Sequence, residues 1–82
     1  MLLDEVKTVV GTVLQIGART HEMEAGSPLL GAVPELDSMA VVNLITGLEE
    51  HFGITVADDE IGASVFATLG SLADFIERKL AE

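Results

Sequence analysis

The chain has 82 residues, 49% of them hydrophobic, and no Cys, so one small domain must be held by an apolar core without disulfides. Three Phe are its only aromatics, and a core of Val, Leu, Ile and Ala points to packed helices rather than a small β domain. Four Lys plus Arg against fourteen Asp plus Glu give a formal net charge of −10, which excludes nucleic-acid phosphates and anionic lipid surfaces as partners, while the missing thiol excludes thiol catalysis and zinc–thiolate sites.

From Leu2 to about Gly17, Leu3, Val6, Val10, Val13 and Ile16 follow three-to-four spacing, the stripe of an amphipathic helix. Asp4 and Glu5 stand where a signal peptide would carry basic residues, and no apolar run approaches the roughly 20 residues of a membrane span. A soluble, cytoplasmic monomer is therefore expected. Between Ala18 and Asp37, Pro28 and Pro34 break helix, and Gly26 and Gly31 accompany them, so this segment reads as a long loop. Leu29, Leu30, Val33 and Leu36 are expected to pin it to the helices and to order its second half.

The stripe returns at Val41, Leu44, Ile45, Leu48 and Phe52, the clearest helix in the chain. Asp37 and Ser38 are both capping residue types at its start, and Gly53 is the usual left-handed stop at its end. Ile54 and Val56 form a short apolar link. Asp58, Asp59 and Glu60 then open a short helix that turns Ile61 inward and that Gly62 limits. Phe66 is expected to plug the core, and Thr68 to cap a last helix with Leu69, Leu72, Ile76 and Leu80 on one stripe, Phe75 beside it, and Arg78 and Lys79 in its final turn. The expected architecture is all-α: an antiparallel bundle of three main helices plus one short helix, with a long first loop, forming a single domain over residues 1–82.

Lys7, Arg19, Arg78 and Lys79 are the only Lys and Arg, so Glu35, Asp37, Glu49, Glu50, Asp58, Asp59 and Glu60 fall in a span without basic residues. They are expected on the surface and largely unpaired, because buried unpaired carboxylates cost several kcal/mol. This is a solubilising shell or a docking face for basic partners. His21 and His51 show no metal-ligand spacing, and the acidic triplet Asp58, Asp59, Glu60 lacks the alternation of a calcium loop, so no metal site is expected. His51 reads as a solvated side chain. No nucleophile is paired with a base, and no GxSxG, P-loop or GxGxxG occurs. By spacing alone Ser38 is only an N-cap, worth about 1 kcal/mol.

A wider string takes Ser38 further: Leu36-Asp37-Ser38-Met39, then Leu44-Ile45, then Leu48-Glu49-Glu50-His51-Phe52-Gly53-Ile54. It resembles the attachment segment of acyl carrier proteins, in which Asp-Ser-Leu opens a helix ending in Leu-Glu-Glu and an aromatic residue. The resemblance covers almost the whole chain, through to Asp74-Phe75-Ile76. It implies a carrier and not an enzyme, with 4'-phosphopantetheine from coenzyme A attached covalently to Ser38 and acyl intermediates held as thioesters. Asp37 is implied as a recognition residue for the phosphopantetheinyl transferase, and Met39, Val42, Glu49 and Glu50 as the surface that meets acyl-loading and acyl-processing enzymes. A helix N-terminus suits the phosphodiester at Ser38.

Met39 stands where Leu is usual, a volume-conserving swap. Ala40 and Asn43 occupy positions that are commonly acidic, and Pro34-Glu35-Leu36 replaces a Gly-containing lead-in. These departures resemble a specialised stand-alone carrier, of the kind serving polysaccharide-linked or exosortase-associated systems in bacteria. The alternatives are a peptidyl or aminoacyl carrier, and a non-catalytic acidic interaction module in which Ser38 is only a cap. Val41, Leu44, Ile45, Leu48, Val56, Ile61, Phe66 and Leu72 are expected as core positions in preference to the lining of a preformed acyl cavity.

Overall fold

Three apolar stripes become the buried faces of three helices in the computed structural model, which describes residues 2–29 and 36–82. They are α1 (Leu2–Val13), α2 (Ser38–Phe52) and α3 (Leu69–Ala81), joined by segments that include 3-10 turns at Gly17–Glu22 and Asp58–Glu60. Among the described residues there is no strand, only a lone antiparallel bridge between Pro28 and Thr68. No described helix is long and apolar enough to cross a membrane. Leu30, Val33, Pro34 and Glu35, and the side chains of His21 and Asp58, lie outside the described residues.

Helix α1 packs against both α2 and α3. Val6, Val9 and Val10 are buried on it, joined by Leu14 and Ile16 just beyond its end. The helix stops at Val13, short of the expected Gly17, because the left-handed position is taken by Gln15 (φ 58°) instead of a glycine. The Leu14 N–H donates to the Val10 carbonyl (3.0 Å) and the Ile16 N–H to the Gly11 carbonyl (3.1 Å), a Schellman closure that folds Ile16 back into the core. Helix α2 ends in the same way with the more usual residue. Gly53 has φ 67°, and its N–H and that of Ile54 both donate to the Glu49 carbonyl, at 2.9 and 3.2 Å.

The approach of α1 to α2 is close enough to dictate a residue type. A Cβ at Gly47 would lie 2.8 Å from Val13 Cγ2, so any larger residue there must displace the Val13 side chain or part the helices. On the other side of α1, helix α3 buries Leu69, Leu72, Ala73, Phe75 and Ile76. Its start is a reciprocal capping box, with the Thr68 N–H donating to Ser71 Oγ and the Ser71 N–H to Thr68 Oγ1, both at 3.0 Å. Leu80, expected on the buried stripe, is 48% exposed. In the last turn the covered position goes to Lys79, whose side chain is only 9% exposed where it meets Glu60.

Where a short helix was expected from Asp58, the chain makes only the three-residue 3-10 turn. The Glu60 side chain folds back to accept from the Ala57 N–H (2.9 Å), and Gly62 follows at once, so the turn is closed before it can propagate. Glu60 was also expected to be unpaired. Instead the Lys79 ammonium donates to both of its oxygens at 2.9 Å, and to Glu82 at 3.2 Å. The Lys79 hydrogen bonds, and after them the Ala57 N–H, hold the Glu60 carboxyl below the usual carboxylate range; Glu60 in turn raises the Lys79 ammonium.

A depressed carboxylate contributes stability that is complete above its unfolded pKa, about 4.3, and is lost as pH falls toward the lower folded value. The raised Lys79 contributes below its ordinary value, about 10.4, and loses that contribution as pH rises through the folded one. Glu60→Gln is thus expected to flatten part of the fall in melting temperature below about pH 4.3. Thermal unfolding of both proteins from pH 6 downward checks this.

The described part of the segment before α2 is anchored at residues 25–29 and again at Leu36; the expected ordering of residues 30–35 lies outside the described residues. Leu29 is fully buried, and its N–H donates to the Ala67 carbonyl (3.1 Å). The Leu69 N–H donates to the Ser27 carbonyl (2.9 Å) and the Gly70 N–H to the Ala25 carbonyl (2.7 Å). Phe66 is buried beside this seam, as expected, and Leu36 is buried just before α2 begins.

Candidate functional site

Leu36 enters the core and Asp37, immediately after it, adopts extended backbone (φ −99°, ψ −175°), so the chain arrives at α2 from the buried side and turns outward. Asp37 is the N-cap. Its Oδ1 accepts from the Ala40 N–H at 2.8 Å, and its carbonyl accepts from the Val41 N–H at 2.9 Å. Ser38 is therefore not the cap that spacing suggested but the first helical residue. The two adjacent capping types could not be ranked from sequence; burial of Leu36 sets the register and gives the cap to Asp37.

Ser38 is exposed, and its hydroxyl makes no hydrogen bond to another described residue. It sits at the positive end of the α2 dipole, beside the amides of the first turn. A phosphate ester on this oxygen would meet favourable potential and no steric obstruction from the core. Asp37→Ala is expected to cost about 1 kcal/mol, the usual value of such a cap, with denaturant unfolding as the check.

Leu44, Ile45 and Leu48 hold α2 from beneath, and its exposed side carries two large apolar side chains, Met39 (68%) and Val42 (58%). Asn43, Thr46 and Glu50 are exposed around them. His51 is exposed at the end of the helix, its ring edge-on to Phe52 at 4.7 Å.

Glu49 behaves differently from Glu50. It is half-buried, and its Oε2 accepts from the Val56 N–H at 2.8 Å. Spacing along α2 carried no signal for this contact, because Val56 reaches Glu49 only after the chain has reversed at Gly53. Val42, Ile45, Thr46, Glu49, Val56 and Ile61 line a crevice of about 180 Å³ beside α2. Of the eight residues weighed as core or cavity lining, Leu44, Ile45, Leu48, Phe66 and Leu72 are buried in the core and Val41, Val56 and Ile61 are partly buried against it; Ile45, Val56 and Ile61 reach this crevice.

A family model described as a phosphopantetheine attachment site matches residues 4–76. The chain belongs to the acyl carrier protein family. It is 40% identical over 79 residues to an acyl carrier protein of Sulfurovum sp. (strain NBC37-1), covering 93% of this chain and 95% of the relative. An acyl carrier protein of Wolinella succinogenes is 37% identical over 79 residues, covering 93% of each. Among solved structures, the solution structure of a holo acyl carrier protein from Nitrosomonas europaea superposes with a TM-score of 0.92 at 57% identity, covering 98% of this chain and 96% of that one. The family's function is carriage, not catalysis, on covalently attached 4'-phosphopantetheine.

Proposed function

We propose that residues 1–82 act as one carrier domain, and that Ser38 is the residue on which its 4'-phosphopantetheine is attached. The observation that carries this is the division of labour at the start of α2: Asp37 does the capping, and the exposed Ser38 hydroxyl has no structural duty to give up. In the transfer from coenzyme A, Ser38 Oγ forms the new bond to phosphorus, the nucleotide leaves, and the serine proton passes to the transferase. Asp37 keeps Oδ2 outside the cap bond, available to the phosphopantetheinyl transferase that recognises this corner. The arm, once bound, supplies the thiol that the Cys-free chain lacks, and acyl groups ride on it as thioesters.

The test is mass spectrometry after incubation with coenzyme A, magnesium and a broad-specificity phosphopantetheinyl transferase. One phosphopantetheine per chain, mapped to the peptide containing Ser38, is expected. An unmodified chain, or an arm on another serine, would overturn the assignment.

Partner enzymes meet the exposed face of α2, with Met39 and Val42 as an apolar centre and Glu50 on its rim. Apolar anchors excluded from water dominate such contacts, while rim charges chiefly tune association. Met39→Ala or Val42→Asp is expected to lower kcat/KM for the transferase by about tenfold at physiological salt, and Glu50→Lys by less than about threefold. If Glu50→Lys proves the more damaging, docking is chiefly electrostatic.

A further inference from the structure

Ser38, Val42, Ile45 and Glu49 follow one another along α2 at four-, three- and four-residue steps, so they lie on one line of the helix. The 180 Å³ crevice begins at Val42, one turn below Ser38, and its far wall is the segment of residues 54–61, which holds only the 3-10 turn Asp58–Glu60 and is represented by Val56 and Ile61. That segment is tied at two consecutive amides by two carboxylates. The Val56 N–H donates to Glu49 Oε2 at 2.8 Å and the Ala57 N–H to Glu60 Oε1 at 2.9 Å, while Glu60 is itself bound to Lys79 of α3. Its first part, residues 54–57, belongs to no helix or strand, and such a stretch is free to hinge unless tethers hold it.

We propose that Glu49 is a latch: its carboxylate fixes the strap of residues 54–61 against α2 and so positions the crevice wall in line with Ser38, and it is not a docking charge for partner enzymes. This rests on the carrier reading only in giving Ser38 its role; the latch itself is a property of the unmodified chain. What the contact requires of residue 49 is a hydrogen-bond acceptor at the reach of a Glu side chain, with or without charge. A docking role would require the charge and tolerate a change of reach. The two readings therefore order the same substitutions oppositely. Glu49→Gln keeps acceptor and reach but loses the charge; Glu49→Asp keeps the charge but shortens the reach by one methylene; Glu49→Ala removes both.

The experiment is amide hydrogen exchange of the apo protein followed by NMR, with circular dichroism confirming that each variant is folded. The Val56 amide is expected to exchange on the order of tenfold faster in Glu49→Ala and Glu49→Asp, and within about twofold of the parent in Glu49→Gln, while amides of α1 and α3 stay unchanged. In parallel, KM for the carrier with a broad-specificity phosphopantetheinyl transferase and coenzyme A should be unaltered by Glu49→Gln. Full protection of Val56 in Glu49→Ala would overturn the latch, as would a Glu49→Gln variant that exchanges like Ala. A raised KM for Glu49→Gln with Glu49→Asp at the parent value would overturn the exclusion of docking. Failure of the transferase to modify Ser38 would sink the carrier assignment and leave the Val56 result standing.

Discussion

Ser38→Ala is expected to take up no phosphopantetheine at all while unfolding within about 0.5 kcal/mol of the parent chain, the usual range for a surface substitution that touches no cap, core or network. Both halves follow from the first turn of α2. The only oxygen offered for the arm is removed, whereas the Asp37 Oδ1 bond to the Ala40 N–H, which closes the helix end, is untouched. Ala is also the better helix former at a first-turn position. Had Ser38 been the cap, as its spacing allowed, the same variant would lose about 1 kcal/mol and the two effects would be entangled. Mass spectrometry and urea unfolding on one preparation separate them. A loss of several kcal/mol would show that Ser38 holds the structure in some way its exposed position does not suggest.

Leu44→Ala should produce the largest fall in stability, about 2–5 kcal/mol. Leu44 is fully buried, on the face of α2 that packs on the core, directly beneath the exposed side that carries Met39 and Val42. Small domains hold roughly 0.05–0.15 kcal/mol per residue, so a chain of 82 residues has about 4–12 kcal/mol in all and this one substitution removes a large share of it. The variant is expected to be partly unfolded at moderate temperature and to be modified by the transferase only to the extent that it is folded. Urea midpoints with an unchanged slope would show simple destabilisation; a reduced slope would mean that the core loosens before it unfolds.

How far the sequence was legible depended on whether the deciding contact was local. The α2 stripe, the Gly53 stop and the Thr68 cap all rest on periodicity or on groups within a few residues, and they were read correctly. The string from Leu36 to Ile54 was likewise legible as a mark of the acyl carrier protein family, because a motif is local by definition. What escaped was set by tertiary partners. Leu80 lost its place on the buried stripe to Lys79 because Glu60 waits across the space at 2.9 Å. The acidic start at Asp58 suggested a short helix, yet Glu60 turned back on the Ala57 N–H and closed a 3-10 turn instead. Glu49 looked like one more surface charge until the chain reversal brought Val56 under it. Gln15 carried no signal of a left-handed residue, since its conformation is imposed by the burial of Ile16.

The seam that joins residues 25–29 to residues 67–70 bears on how the chain is made as well as how it stands. Its partners are roughly forty residues apart, and such pairings set the pace of folding in small domains. While the chain emerges from the ribosome, Leu29 has neither the Ala67 carbonyl nor the Phe66 side of its burial site, so α1 and α2 can begin to associate but cannot close over the loop between them. The burial site of Leu29 is thus complete only when the start of the last helix is in place, and a chain truncated before Thr68 should be a poor substrate for a phosphopantetheinyl transferase even though it contains Ser38.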